Sequence, residues 1–123
     1  MKTAHDPRHL ERIRVIEELF AWQFNHKSKI KSSITKNITT NLQLIDAAIE
    51  KSAPERPLAQ INKIDLAILR LAIYELTVEK NAPYKVIVDE AIELAKQYGA
   101  DSSPAFTNGV LGKVILEFAI DKG

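Results

Sequence analysis

The chain has 123 residues, 46% hydrophobic and 27% charged, with a net charge of +1 at pH 7 and no cysteine. That length and balance suit one domain spanning residues 1–123, able to bury a core without disulfides or metal. The missing cysteines exclude thiolate catalysis and zinc–thiolate sites. No apolar run approaches the roughly 18 residues of a membrane span, and the start MKTAHDPRHLERIR lacks a signal peptide's apolar core, so a cytoplasmic location is expected.

The pattern predicts five main helices and no sheet. Asp6-Pro7 opens the first, because aspartate caps free amides and proline fits the first helical position. Leu10, Ile13, Ile16, Leu19, Phe20 and Phe24 then line one face to about residue 25, with Arg8, Arg12 and Arg14 pointing elsewhere. A second helix is expected over 29–51, with Ile30, Ile34, Ile38, Leu42, Ile45 and Ile49 three or four residues apart. Its threonines and asparagines are indifferent helix formers, so packing must hold it.

SAPERP breaks the chain with two prolines. The third helix, 62–79, is apolar almost all round and is therefore predicted to be the most buried. Ile68, Leu69, Leu71, Ala72 and Leu76 should be core, packed by Leu19, Ile45, Ile92, Leu94 and Leu111. Arg70 and Glu75 interrupt this helix as partnered structural charges, with Glu90 the expected partner of Arg70. A fourth helix covers 84–98, with Gly99 as its stop. In a fifth, Ser103 is the expected cap and Pro104 the first residue, with the end near residue 120.

Positive charge clusters early. Lys2, Arg8, Arg12 and Arg14, with His5 and His9, face only Asp6 and Glu11 before residue 15, and residues 25–45 hold Lys27, Lys29, Lys31 and Lys36 without an acid. Such a cluster is either a solvated face or a phosphate-binding edge. Catalytic chemistry is not visible. The three histidines lack metal-ligand spacing, Asp89, Glu90 and Glu93 have the spacing of a solvated helix face or of helix-start charge, and no phosphate-binding glycine loop exists. Neither an enzyme nor a cofactor or metal is expected.

One stretch resists this plain reading. Phe106, Asn108 and Gly109 crowd the first turns of the last helix and Gly112 follows, although a glycine inside a helix costs roughly 1 kcal/mol relative to alanine. These residues, FTNGVLGK (106–113), together with IDLAILRLAIYEL (64–76) and PYKVIVDEAIELAKQYG (83–99), resemble the NusB family of bacterial transcription antitermination factors. RHLERIRVIEELFAWQF (8–24) looks like that family's basic first helix. The stretch between Trp22 and Asn62 is about one helix shorter than in better-known members, so one long helix is expected to replace two. His9, Leu10 and Glu11 fall where some relatives carry basic or small residues.

The resemblance implies an all-helical RNA-binding protein that works with ribosomal protein NusE on boxA-type RNA of ribosomal RNA transcripts, within the RNA polymerase antitermination complex. It assigns RNA contact to Arg8, His9, Arg12 and Phe106, and NusE contact to Phe20 and Asp65. Phe106 reads equally as a stacking ring beside free helix amides or as a core residue, and Asn108 as an RNA contact or a local backbone partner. Gly109 and Gly112 are expected to let the helix approach a neighbour closely. Asp65, one turn into its helix, is expected to contribute only roughly 0.3–1 kcal/mol to stability. A helical adaptor that binds only protein is the alternative. So is a relative of the helical domain attached to ribosomal RNA cytosine methyltransferases, though the end at Gly123 leaves no room for a methyl-donor domain. Monomer and homodimer both remain open.

Overall fold

The structure, a computed structural model, describes residues 6–120. Lys2 and His5 lie outside the described residues. Those described form six α-helices and no strand: α1 (Pro7–Phe24), α2 (Ser33–Thr40), α3 (Leu42–Ser52), α4 (Lys63–Tyr74), α5 (Tyr84–Tyr98) and α6 (Ser103–Glu117). A short 3₁₀ turn, Leu58–Gln60, precedes α4, and a π-helical turn, Glu75–Glu79, extends it. None of these helices is long and apolar enough to cross a membrane.

α4 is the central helix, as its apolar sequence predicts. Every residue from Asp65 to Leu76 is buried, and α1, α3, α5 and α6 all pack against it. Leu19, Ile45, Leu94 and Leu111 fill the core around it as expected, whereas Ile92 is only half-buried.

The expected long second helix is two helices. Asn41, at φ −102° and ψ 18°, ends α2 and starts α3. Local competition explains the break. Thr39 and Thr40 donate their hydroxyls to the Lys36 carbonyl, and the Asn41 side chain donates to the Asn37 carbonyl. The turn carries the chain from α2, against α1 and α4, to α3, against α4 and α6, and both Ile38 and Ile45 are fully buried. The start of α2 is also later than expected. Ser32 caps it and donates its hydroxyl to Glu11, while Glu18 accepts the Lys31 and Ser32 amides.

At the last connection, Ser102 rather than Ser103 is the capping position, and Ser103 Oγ accepts the Ala100 amide instead. Gly99 ends α5 with φ −94°, so a left-handed turn is not what selects glycine. A Cβ there would strike the Ser103 side chain and lie 2.7 Å from the Ala95 carbonyl oxygen, so close approach selects it. α6 ends at Glu117, short of the expected residue 120, and Ala119 turns the chain with φ 48°.

The buried face of α1 is the largest departure. It runs through His9, Arg12, Val15, Ile16 and Leu19, while Leu10, Phe20 and Phe24, expected inside, are exposed.

Candidate nucleic-acid interface

Two carboxylates on neighbouring elements explain why α1 turns basic residues inward. Arg12 is 5% exposed and forks onto Glu75, with Nε donating at 2.8 Å and Nη2 at 2.7 Å, while Nη1 lies 3.6 Å from Glu90. His9 Nδ1 is 3.0 Å from the same Glu90 oxygen. The π turn at the end of α4 carries Glu75, and Lys80, at φ 55°, closes that turn. Burial by itself lowers the Arg12 pKa, but the hydrogen bond and charge of Glu75, with Glu90 behind them, outweigh it and hold the pKa above the ordinary arginine value. Arg12 therefore stays charged inside.

Arg8, one turn earlier, is the outward member of this cluster, with its side chain 43% exposed. Its Nη2 donates to Asn81 at 2.7 Å and Glu79 at 3.2 Å, and lies 3.4 Å from Glu75. Its Nε and Nη1 have no partner among the described residues. Arg8, His9 and Arg12 lie together at the start of α1, but within an acidic collar that the chain's basic count did not reveal. The signal for that collar was the pair of acids Glu75 and Glu90, each set among apolar neighbours at helical spacing. The expected Arg70–Glu90 pair is not formed. Arg70 forks onto Asp46 at 2.9 Å through both Nε and Nη2 and donates to Gln23 at 3.0 Å, tying α4 to α3 and α1.

Phe106 sits apart from this cluster, in the first turn of α6. It is half-buried against the core, and the Arg56 guanidinium lies 4.4 Å from its ring centroid. Arg56 comes from the connection between α3 and α4, and sequence reasoning had not singled it out. Asn108 is exposed and makes no hydrogen bond among the described residues, which removes its reading as a local backbone partner. Gly109 and Gly112 do not serve close packing either, because a Cβ on either would meet nothing within 4 Å. Their surface is open.

The far end of α1 carries the residues assigned to the protein partner. Phe20 and Phe24 are exposed and meet edge to face at 5.0 Å, and Trp22 stacks on His26 at 4.1 Å. Gln23, between them, donates to the Lys63 carbonyl and so fastens this end of α1 to the start of α4. Two residues further, Asp65 is only 3% exposed, and its Oδ1 has no hydrogen-bond partner. The expected surface aspartate is a buried one.

An apolar central helix ringed by five others, with Arg8, His9 and Arg12 on the first helix and Phe106 on the last, defines an all-helical bundle among the described residues. Comparison with known proteins narrows that class. A model of the NusB family matches residues 25–116. The transcription antitermination protein NusB of Clostridium novyi is 49% identical over 84 residues, covering 68% of this chain and 63% of that protein. The Alkaliphilus oremlandii protein of the same name is 42% identical over 103 residues, covering 83% of this chain and 75% of its own. The solved structure of T. maritima NusB superposes with a TM-score of 0.82 at 32% identity, over 95% of this chain and 94% of that one.

The chain belongs to the NusB family, whose antitermination factors are non-enzymatic. It spans about three-fifths of the length of the Clostridium novyi relative.

Proposed function

We propose that this protein is a transcription antitermination factor that binds boxA-type RNA together with ribosomal protein NusE, so that RNA polymerase reads through terminators. Family membership supports the process, since the relatives are named for it. The observation that carries the partner half is Asp65. A carboxylate oxygen buried without a hydrogen bond is costly and rare, and a docking protein could bring it a donor only by displacing the side chains that cover it. Exposed Phe20 and Phe24, on the turn of α1 fastened beside it, supply the apolar contact area such a partner needs.

On the RNA side, Arg8 makes the first phosphate contact through its two uncommitted nitrogens, and Phe106 offers a ring for a base. His9 and Arg12 reach RNA only by exchanging Glu90 and Glu75 for phosphate. One observation favours the second reading, a helical adaptor that binds only protein. The basic end of α1 is ringed by Asp6, Glu75, Glu79, Asp89 and Glu90, whose charge opposes RNA. Titration of the protein with boxA-type RNA, with and without NusE, separates the two. RNA binding that tightens when NusE is present is the expected result. NusE binding with no RNA affinity in either case establishes the adaptor.

A further inference from the structure

Arg56 is exposed, and its guanidinium makes no hydrogen bond or ion pair among the described residues and lies over the ring of Phe106. Its backbone is held. Pro54 and Pro57 bracket it, the Arg56 amide donates to the Ala53 carbonyl at 3.1 Å, and the Gln60 amide donates to the Pro57 carbonyl at 2.9 Å. The side chain can swing while its root stays in place. Phe106 packs against the core, and the guanidinium lies over its ring.

Taking the RNA-binding reading as its basis, we infer that Arg56 is an RNA-contact residue that shields Phe106 in the free protein and passes to a phosphate when a base takes the ring. Relative strengths favour the exchange. A nucleobase stacked on an aromatic outweighs a solvent-exposed cation–π contact. The displaced guanidinium then has a fork that matches phosphate oxygens, whereas in the free protein it has no carboxylate partner. The surface beyond Phe106 admits the strand. Gly109 and Gly112 follow at helical spacing on an open face, and Lys113, one further residue on, is exposed. Bare backbone at those positions lets a sugar-phosphate chain lie against α6, a role that gives the two helix glycines the purpose that internal packing does not.

The test is titration with a single-stranded boxA-type RNA at several salt concentrations, for the wild type and four variants, with circular dichroism to confirm folding. Arg56→Ala should weaken binding several-fold and reduce the slope of log affinity against log salt by roughly 0.7, the loss of one phosphate contact to a single strand. Arg56→Lys should keep the wild-type slope with a smaller loss of affinity. Phe106→Ala should weaken binding without moving the slope. Gly109→Ala should raise the melting temperature, since its methyl meets nothing, and yet weaken RNA binding. Wild-type RNA binding with Arg56→Ala unchanged in slope and affinity overturns the inference while leaving the RNA-binding reading intact. A wild type that binds no RNA overturns both.

Discussion

At its N-terminal end α1 turns His9 and Arg12 inward, and at its C-terminal end it turns Phe20 and Phe24 outward. Both ends reverse the placement that hydrophobicity alone dictates, and for different reasons. The first reversal is satisfied within the chain, because Glu75 takes two short hydrogen bonds from buried Arg12 and Glu90 lies 3.0 Å from the His9 ring. The second is not satisfied within the chain, for the two rings meet edge to face on an exposed surface and Asp65 keeps an unpaired oxygen. An internally completed reversal is architecture. An incomplete one marks a surface that something else completes.

That contrast breaks most sharply at Glu75. Replacing it by alanine leaves Arg12 buried and charged without its fork, and the expected loss is about 3–5 kcal/mol of folding stability by urea denaturation. The double variant Arg12→Met, Glu75→Leu should recover most of that loss. A single variant as stable as the wild type would show that the cluster is not part of the fold's support.

Asp65 is the matching test at the other end. Asp65→Lys puts an unpaired cation where only 3% of the residue is exposed, and should cost about 2–4 kcal/mol, several times the expectation for a surface position. Asp65→Asn removes the charge at little volume change. It should leave stability within about 1 kcal/mol of the wild type while weakening NusE binding roughly tenfold. Equal NusE affinity for wild type and Asp65→Asn would remove Asp65 from the partner surface.

Glu18, midway along α1, joins the two regimes by holding the start of α2. Burial raises its pKa, but the Thr35 hydroxyl, then the Lys31 and Ser32 amides and the Arg14 charge, outweigh that and bring it below the ordinary glutamate value of about 4.5. Its contribution is therefore complete above pH 4.5 and disappears as the pH falls through the lowered folded value. Urea denaturation from pH 7 to pH 3 should show the gap between wild type and Glu18→Gln closing in acid. A gap that stays constant with pH would mean the amide contacts are indifferent to the charge.

The smallest stability effect belongs to Phe24. At 64% exposure, Phe24→Ser should change folding stability by no more than about 0.5 kcal/mol while reducing NusE affinity. A large drop in melting temperature would show that the ring supports the fold rather than a partner.

Periodicity made the helices at 7–24, 63–79, 84–98 and 103–117 legible, because an apolar side chain every third or fourth residue has one economical solution. It did not reveal the break at Asn41, since the isoleucine spacing runs through it without interruption. Only the side-chain hydrogen bonds of Thr39, Thr40 and Asn41 end the helix there. The candidate site was legible as a set of residues but not as an arrangement. Arg8, Arg12 and Phe106 could be named from the chain, whereas Arg56 over Phe106 joins residues fifty positions apart and has no local signature.

By itself the sequence determined an all-helical chain with α4 at its centre, because α4 has no polar face to offer water. It also determined the family, through residues whose order and spacing survive in relatives. Which side of α1 is buried was decided only by tertiary structure. A helix carrying both apolar and basic stripes can bury either, and the choice depends on what faces it. Glu75 and Glu90 lie more than sixty residues away along the chain and within 3.6 Å of Arg12 in the fold, and that proximity turns Arg12 inward beside Val15, Ile16 and Leu19.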